Sequence, residues 1–266
     1  MKKKISITIN RKALESIDSI IDNINIRNRS QAIEHLIFKS LGSSKTAVIL
    51  SGGPLEKQKL SENQYRLTAK IRSKTLIEMA VMKLRENDFK KVIIIAPKEV
   101  LTNVFHVMRD GSEYGVNINY IEEKSAEGTA DTLRHLKGKI SSEFLVLFND
   151  LIFDKIHLRE LWKDHLISSP LVTIMLTTSP DVSKKGICKV EGKQVIEFNQ
   201  KPRKSDSNLV FSPIFITDPR IFEYQGSSLE DHIFPKLAKE GLLNGYLSHE
   251  KEIHIHSVED IKKLRV

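Results

Sequence analysis

The stretch Ala47-Val48-Ile49-Leu50-Ser51-Gly52-Gly53 joins a run of apolar residues to a pair of glycines. A short, continuous apolar run is typical of a strand that is buried on both faces of a sheet. Glycine has no Cβ, so the backbone at Gly52 and Gly53 can approach a ligand closely. The stretch therefore predicts a buried strand that ends at a binding loop.

Similar apolar runs recur further along the chain and are separated by helical segments. Residues 92–96 read VIIIA and residues 143–150 read EFLVLFND, while residues 75–84, TLIEMAVMKL, precede both and have helical spacing. Alternating strands and helices are typical of an α/β fold with a mostly parallel sheet covered by helices. Ligands bind such sheets at the carboxyl ends of the strands.

The composition indicates a globular protein, which we expect in the cytoplasm. Of the 266 residues, 40% are hydrophobic and 29% are charged. No apolar run approaches the roughly 20 residues of a membrane-spanning helix, so we expect no membrane partner. The basic start at residues 2–4 lacks the apolar stretch of a secretory signal. The single cysteine, Cys188, cannot form an internal disulfide, which fits a reducing compartment.

The amino end carries most of the excess positive charge and has its own pattern. Residues 1–46 contain nine basic and four acidic residues, although the whole chain has a net charge of only +8. Alternating isoleucines at residues 5–9 predict one short strand. Helical spacing predicts a first helix over 11–24, and Ser30 is the predicted N-cap of a second helix that ends at Gly42. We therefore predict a strand-helix-helix domain over 1–42, a linker over 43–45 and a larger domain over 46–266.

From KISITIN at residues 4–10 through RSQAIEHLI at residues 29–37, the first domain resembles the ribbon-helix-helix family of DNA-binding proteins. In that family two chains pair their strands into a ribbon that enters the major groove. The resemblance implies a homodimer, or a higher even oligomer, that binds double-stranded DNA. It further implies base contacts by Lys4, Ser6 and Thr8 and phosphate contacts by Arg29 and Ser30. The alternative is a dimerisation module that binds no DNA.

The larger domain carries a set of motifs that resembles the sugar-1-phosphate nucleotidyltransferases, in that family's order. The motifs include AVILSGG at 47–53, LSENQYRLTAKIRSKTLIE at 60–78, EGTADTLRHL at 127–136, FLVLFND at 144–150 and VIEFNQKP at 195–202. The resemblance covers residues 46–264. It implies a Rossmann-like mixed sheet of the GT-A-like type. It also implies a reaction between a nucleoside triphosphate and a sugar 1-phosphate that gives an NDP-sugar and pyrophosphate.

The resemblance also implies a set of site residues. Gly52 and Gly53 would approach the nucleotide, and so would Gly128-Thr129-Ala130, which opens a helix and would expose backbone N–H groups. Asp150 matches the family's Mg²⁺ ligand, and carboxylate oxygen suits that hard cation. The phosphate-binding or catalytic residues implied for an active enzyme are Arg66, Lys57 and Lys201.

The phosphate loop departs from the family's pattern. Residues 54–59, PLEKQK, stand where the family has a glycine-rich loop with an arginine. Lys57 or Lys59 would have to replace the lost positive charge, and Glu56 would repel phosphate. The sequence therefore predicts weakened binding of a triphosphate.

Three further positions depart from the family at single residues. Arg66 replaces a lysine, Gln200 replaces a glutamate and His254 replaces the second metal-binding aspartate. His254 and His256 share one strand face, and we interpret them as exposed polar residues because Mg²⁺ rarely takes imidazole ligands.

These departures favour a DNA-binding transcriptional regulator whose second domain binds a nucleotide or sugar nucleotide with degenerate catalysis. The alternative hypothesis is an active sugar-1-phosphate nucleotidyltransferase that its amino-terminal domain dimerises. In that case Mg²⁺ is the expected cofactor.

Overall fold

The computed structural model describes residues 5–22, 26–37, 45–62, 64–180, 183–204 and 206–264. The chain forms two compact units, Met1–Ser44 and Lys45–Val266. Lys45, predicted to be the last linker residue, already belongs to the first strand of the larger unit. Its backbone pairs there with Phe89, which explains the earlier start of the unit.

The described residues of the smaller unit form two helices, α1 over Arg11–Ser19 and α2 over Arg29–Ile37. The first helix ends at Ser19, before the predicted end at residue 24. Ser30 is not the N-cap of α2, because the Asn28 side chain accepts a hydrogen bond from the Gln31 backbone N–H at 2.9 Å and the helix has already begun at Arg29. Asn28 therefore takes the predicted role of Ser30.

The predicted amino-terminal strand is not formed within the described part of the smaller unit. Residues 5–10 have no regular structure, and Ile5 and Ile7 are 71% and 53% exposed. The physical reason is that a strand needs a partner for its hydrogen bonds, and no described segment of this unit supplies one. Ser6 and Thr8 are exposed. Lys4, the predicted helix end at Gly42 and the linker residues 43 and 44 lie outside the described residues.

A mixed sheet of nine strands forms the centre of the larger unit, with the order β10-β14-β12-β11-β13-β8-β1-β6-β7. The strands of this sheet are β1 Lys45–Leu50, β6 Phe89–Ala96, β7 Asn117–Glu122, β8 Phe144–Phe148, β10 Val172–Thr178, β11 Gly186–Glu191, β12 Gln194–Gln200, β13 Leu209–Thr217 and β14 Leu243–Leu247. The shorter strands are β2 Lys59–Ser61, β3 Gln64–Tyr65, β4 Lys70–Ile71, β5 Lys74–Thr75, β9 Leu151–Ile152 and β15 Ile253–His254.

The helices of the larger unit connect these strands. They are α3 Leu76–Glu86, α4 Lys98–Met108, α5 Thr129–Arg134, α6 Leu158–Ser168, α7 Phe234–Lys239 and α8 Val258–Lys263. No helix in the described ranges is both long enough and apolar enough to span a membrane.

The order of the strands explains the apolar run at residues 47–50. β1 is an interior strand of the sheet and is parallel to both of its neighbours, β6 and β8. Ala47 and Ile49 pack with one core cluster, which includes residues of α3, α4 and α6, whereas Val48 and Leu50 pack on the opposite face with residues of α5 and α7. Because both faces are covered, residues 47–50 of this strand are all apolar, whereas Lys45 and Thr46 at its start are not. The sheet is less parallel than the strand-helix pattern predicts, since β13 is antiparallel to β8, β10 and β11.

The capping box of α3 yields a test of local stability. The Thr75 backbone N–H donates to Glu78 Oε2 at 2.7 Å, and the Glu78 backbone N–H donates to Thr75 Oγ1 at 3.3 Å. We expect Thr75→Ala to lower the free energy of unfolding by about 1 kcal/mol, because α3 loses its N-cap. Urea denaturation of the full chain measures the change. Thr102→Ala is the control, because Thr102 is exposed inside α4 and its hydroxyl only donates to the Lys98 carbonyl oxygen; an equal loss in both variants would contradict the capping role.

Candidate functional site

A cavity of about 280 Å³ lies where β1 and β8 end, at the carboxyl edge of the parallel strands. The parallel arrangement of β1 and β8 brings their two following segments together. The predicted site residues that line this cavity are Gly52, Gly53, Lys57, Arg66, Gly128, Thr129 and Asp150. Ala130 and Lys201 do not line it.

A network of buried polar side chains fixes the loop that follows β1. Gln58 Nε2 donates to the Gly52 carbonyl oxygen at 2.6 Å, and Ser51 Oγ donates to Gln58 Oε1 at 2.9 Å. Asn149, the residue before Asp150, donates through Nδ2 to Ser51 Oγ at 2.7 Å. Ser51, Gln58 and Asn149 are all less than 10% exposed. The loop between β1 and β2 is therefore tied directly to the end of β8.

The carboxylate of Glu123 holds the glycine pair in place. Glu123 follows β7, is 5% exposed and accepts a hydrogen bond from the Gly53 backbone N–H at 2.5 Å and another from the Thr132 hydroxyl. Gly53 has a φ of +88°, a conformation that glycine adopts at little cost. None of the sequence motifs assigns a role to Glu123, Gln58 or Asn149. The position of Glu123 directly after the strand β7 is the sequence signal that indicates it.

The segment Gly128-Thr129-Ala130 packs against another part of the chain. The Ala130 and Asp131 backbone N–H groups donate to the Ser227 carbonyl oxygen at 2.8 and 3.2 Å. A Cβ on Gly128 would lie 2.6 Å from that same oxygen. The predicted exposure of these N–H groups at Ala130 is therefore wrong, because Ser227 occupies them, and Ala130 itself is only 2% exposed. Nucleotide contacts by Gly128 and Thr129, which border the cavity, stay a prediction.

Glu230 is a buried carboxylate that contacts Thr129 but does not line the cavity. It is 7% exposed and accepts hydrogen bonds from Thr129 Oγ1 at 2.6 Å and Ser228 Oγ at 3.3 Å. Burial raises the pKa of Glu230 above its ordinary 4.5, and these hydrogen bonds only partly oppose that rise. The folded chain therefore holds the Glu230 proton more tightly than the unfolded chain does.

The raised pKa of Glu230 predicts a stability change with a definite sign. Its contribution to stability is fully present below pH 4.5 and is lost as the pH rises through the folded-state pKa. We expect Glu230→Gln to stabilise the chain at pH 8 by roughly 1 kcal/mol or more, since the amide is not charged when buried, and to have little effect near pH 4.5. Urea denaturation at the two pH values measures this difference. Glu86→Gln, on an exposed side chain of α3, is the control, and a Glu230→Gln effect of the same size at both pH values would contradict the prediction.

Two basic side chains border the cavity. Arg66 is half-buried, and its Nε atom is buried without a hydrogen-bond partner among the described residues. Lys57 is exposed at the rim. Glu56, predicted to repel phosphate, does not line the cavity and pairs with Lys59 at 3.3 Å. Lys57 is therefore the cation of this loop that is available to a ligand, whereas Lys59 is engaged.

The other predicted sugar-side residues are near the end of β12. Lys201 is exposed, with a φ of +46°, and its backbone N–H donates to the Lys185 carbonyl oxygen at 2.9 Å. Gln200 precedes it and has a buried Oε1 atom without a partner among the described residues. Binding of sugar phosphate by Lys201 stays a prediction.

Asp150 lines the cavity, as Glu127 does, and two histidines approach Asp150. Asp150 Oδ2 lies 3.5 Å from His254 Nδ1 and 3.3 Å from His256 Nδ1. Glu252 Oε1 lies 3.1 Å from the other ring nitrogen of His254, Nε2. The interpretation of His254 and His256 as merely exposed polar residues is therefore wrong for His254, whose side chain is only 25% exposed and contacts two carboxylates.

The charges of this group depend on one another. Burial alone would raise the pKa of Asp150, but the hydrogen bond from His254 and the interactions with His254, His256 and Arg66 lower it. Burial alone would lower the pKa of His254, but hydrogen bonds to Asp150 and Glu252 raise it to about 9. At neutral pH, His254 is therefore protonated beside an ionised Asp150.

Enzymes of the family that the motifs indicate commonly use Mg²⁺, so the fit of these residues to that ion is a direct test. Asp150 is 8% exposed and its Oδ1 atom is buried without a partner among the described residues, as a metal ligand would be. Its other neighbours, however, are two imidazoles, and Mg²⁺ takes oxygen ligands in an octahedral arrangement. The donor set around Asp150 does not fit Mg²⁺.

Comparisons with known proteins agree with the fold. Mannose-1-phosphate guanylyltransferase catalytic subunit beta from Xenopus tropicalis is 32% identical over 137 residues, which are 48% of this chain and 38% of that protein. A candidate glucose-1-phosphate thymidylyltransferase from Bacillus anthracis has a similar structure, with a TM-score of 0.74 at 20% identity, and the match covers 84% of this chain and 94% of that one. HddC from Yersinia pseudotuberculosis matches with a TM-score of 0.68 at 18% identity, covering 83% of this chain and 97% of that one.

The chain thus spans less than half the length of the curated guanylyltransferase that it matches, but almost all of the two solved structures. The family model described as Nucleotidyl transferase matches residues 46–253, which include every residue of the cavity and most of the larger unit. The chain therefore belongs to the Nucleotidyl transferase family.

Proposed function

We propose that the larger unit is an active sugar-1-phosphate nucleotidyltransferase. In this reaction a phosphate oxygen of the sugar 1-phosphate attacks the α-phosphorus of a nucleoside triphosphate, and the bond from that phosphorus to the β-phosphate oxygen breaks. The products are an NDP-sugar and pyrophosphate. The observation that carries the proposal is the cavity at the strand ends, where Arg66 and Lys57 face a rigid glycine loop beside the buried Asp150.

The residues of the cavity suit a reaction that depends on position and charge. The hydrogen bonds of Gln58, Asn149 and Glu123 fix the glycine loop before any substrate arrives. A preorganised loop saves entropy when two substrates are brought together. Arg66 and Lys57 would neutralise the charge that develops on the leaving pyrophosphate, which is the main task of a protein in phosphoryl transfer.

The names of the relatives indicate which substrates to test first. The curated relative from Xenopus tropicalis is named for mannose 1-phosphate and guanylyl transfer, and the Bacillus anthracis structure for glucose 1-phosphate and thymidylyl transfer. We therefore propose a hexose 1-phosphate with GTP or dTTP as the substrate pair. Mannose 1-phosphate with GTP is the first choice, because the sequence identity is higher in that comparison.

Pyrophosphate release by the purified full chain tests this proposal. The assay combines four nucleoside triphosphates with mannose and glucose 1-phosphates, each with Mg²⁺, Mn²⁺ or Co²⁺. We expect turnover with one preferred pair and its loss in Asp150→Asn, while Glu86→Gln leaves it unchanged. If no pair gives pyrophosphate, the enzyme proposal fails. Thermal stabilisation by an NDP-sugar would then favour the regulator with degenerate catalysis.

A second function, DNA binding, is proposed for the smaller unit. The observation that favours it is the exposure of Ile5 and Ile7 beside the exposed Ser6 and Thr8, since two apolar side chains on an unpaired segment need a cover. A second copy of the segment would bury the isoleucines and complete a ribbon, which would present the polar side chains to base edges. This arrangement implies a homodimer or a higher even oligomer.

The phosphate contacts of this unit depend on the start of α2. Ser30 is exposed in the first turn. The Arg29 guanidinium donates to both carboxylate oxygens of Asp18, at 2.6 and 2.8 Å, and so ties α2 to α1. The Asp18 carboxylate already neutralises much of the positive charge of Arg29, which weakens the attraction of Arg29 for a phosphate. Ser30 and the basic residues 2–4 are therefore the stronger candidates for phosphate contact.

Fluorescence anisotropy with labelled duplex DNA tests the second function. Binding is expected at about 50 mM salt and should weaken steeply as salt rises, because phosphate contacts release counterions. Ile5→Asp should convert the dimer to monomer in size-exclusion chromatography with light scattering and abolish binding. Dimers that bind no duplex at low salt would leave only a dimerisation module.

A further inference from the structure

We propose that Asp150, His254 and His256 form a binding site for a borderline transition-metal dication such as Zn²⁺ or Co²⁺. The candidate ligand atoms of these three residues all lie within 4.8 Å of one another. The inference concerns metal binding by the free chain, so it does not rest on the proposed reaction.

The backbone brings the three side chains together by a short strand pair. His254 in β15 pairs with Leu151 in β9, and the Ile255 backbone N–H donates to the Asp150 carbonyl oxygen at 2.8 Å. Side chains alternate across a strand, so Ile255 points into the core, where it is fully buried, while its two neighbouring histidines point to Asp150. The spacing His-x-His is thus what aims both imidazoles at one carboxylate.

The distances within the group match a coordination polyhedron. Asp150 Oδ2 lies 3.5 Å from His254 Nδ1 and 3.3 Å from His256 Nδ1. Charge-assisted hydrogen bonds are shorter, at about 2.7–2.9 Å. Two ligands that each lie about 2.1 Å from a tetrahedral ion are about 3.4 Å apart, which agrees with both distances. The Asp150 oxygen therefore lies at a ligand-to-ligand distance from each imidazole, and the two histidine ligand atoms lie within 4.8 Å of each other.

Glu252 gives His254 the orientation of a metal ligand. It lies two residues before His254, on the same strand face, and its Oε1 atom is 3.1 Å from His254 Nε2. A bound ion would displace the proton from Nδ1, the nitrogen nearest Asp150, while Nε2 keeps its proton and donates a hydrogen bond to Glu252. Histidine ligands of metal ions commonly donate their other ring N–H to a carboxylate in this way. The side chain of Glu252 is only 1% exposed, so its position is fixed by the fold.

The donor chemistry selects the class of ion. Two imidazoles and one carboxylate suit Zn²⁺ and Co²⁺, whereas Mg²⁺ prefers oxygen ligands alone. Asp150 also lines the cavity, and its Oδ1 atom is buried without a partner among the described residues. Three protein ligands with an open side are typical of a metal site that accepts a further ligand from solution.

Titration of the metal-free full chain with Co²⁺ tests the site. The chain is purified without a histidine tag, treated with EDTA and dialysed, and no nucleotide is present. We expect the strong visible absorption of four- or five-coordinate Co²⁺ at one ion per chain, its displacement by Zn²⁺, and no displacement by a large excess of Mg²⁺. A spectrum like that of Co²⁺ in water at every ratio would overturn the proposal.

Variants separate these ligands from other histidines. His254→Asn and His256→Asn should each weaken Co²⁺ binding by at least about a hundredfold, and Glu252→Gln, which removes only the supporting carboxylate, by about ten- to a hundredfold. His249→Asn, at an exposed histidine outside the group, should leave the titration unchanged. Thermal melting of each metal-free variant shows whether it is folded, and His256→Asn is the safest of the set because its side chain is 59% exposed. If folded His254→Asn and His256→Asn both keep the wild-type spectrum, the site is wrong.

The outcome is independent of pyrophosphate release. Co²⁺ binding without turnover would support the site while the proposed reaction fails, and turnover without specific Co²⁺ binding would do the reverse. His254→Asp adds a positive test, because a second carboxylate should shift the preference of the site toward Mg²⁺ and Mn²⁺.

Discussion

Arg66→Met is expected to lower kcat/KM for pyrophosphate release by at least about a hundredfold, the usual cost of losing one group that stabilises developing charge. Arg66 lines the cavity, and its buried Nε atom has no hydrogen-bond partner among the described residues. A buried donor without a hydrogen-bond partner lowers the stability of the fold unless a ligand accepts its hydrogen bond. Methionine keeps most of the length and apolar contact of the side chain but removes the charge. Initial rates over a range of nucleotide concentrations measure the effect.

Two other substitutions separate charge from shape. Arg66→Lys should keep activity within about tenfold of the wild type. Lysine preserves the positive charge, and only the planar geometry of the guanidinium is lost. Arg85→Met, at an exposed arginine on α3, should leave kcat/KM unchanged. If Arg66→Met is folded by its melting temperature and still turns over at more than about a third of the wild-type rate, Arg66 has no role in phosphate chemistry.

The strand β1, which precedes Gly52, shows which part of the fold is predictable from local sequence. Residues 47–50 are apolar because helices cover both faces of the central strands, and a short continuous apolar run is typical of a strand in that environment. The carboxyl-end rule then predicts that Gly52 and Asp150, which follow two such strands, lie near each other. Both residues line the same cavity.

Contacts between distant segments are the part that local patterns do not predict. Ser227 covers the start of α5, about a hundred residues away in sequence, so the N–H group of Ala130 is occupied rather than exposed. No periodicity within residues 127–136 contains that information. The two histidines illustrate the same limit, since period-two alternation places His254 and His256 on one face but only the pairing of β15 with β9 decides what that face meets.

The smaller unit shows a third limit, which concerns near-equivalent residues. Asparagine and serine cap helices about equally well, so Asn28 and Ser30 are both plausible starts for α2. The structure selects Asn28, whose side chain reaches the Gln31 N–H at 2.9 Å. The isoleucine pattern at residues 5–9 predicts a strand, but no described segment of the smaller unit pairs with these residues, and Ile5 is exposed.

Gly52→Ala is expected to lower kcat/KM by about two orders of magnitude and the free energy of unfolding by roughly 1–3 kcal/mol, the usual range for overpacking. Gly52 does not have a positive φ, so alanine can adopt its backbone conformation and the cost comes from collision alone. An added Cβ would overlap Thr132 Oγ1 and the Glu123 carboxylate. The Thr132 hydroxyl donates a hydrogen bond to the Glu123 carboxylate, which also accepts one from the Gly53 backbone N–H at 2.5 Å. Moving Glu123 therefore releases the loop that borders the cavity.

Gly192→Ala is the matched control for backbone strain without collision. Gly192 has a φ of +59°, and nothing lies within 4 Å of an added Cβ. Alanine there should cost about 1–2 kcal/mol of stability and leave kcat/KM unchanged, because Gly192 does not line the cavity.

Thr132→Ala in the Gly52→Ala background removes one of the colliding atoms. The loss caused by Gly52→Ala should therefore be smaller in the Thr132→Ala chain than in the wild type, which a double-mutant cycle on both stability and kcat/KM measures. Strictly additive losses would mean that the collision with Thr132 is not the cause, which leaves the overlap with the Glu123 carboxylate.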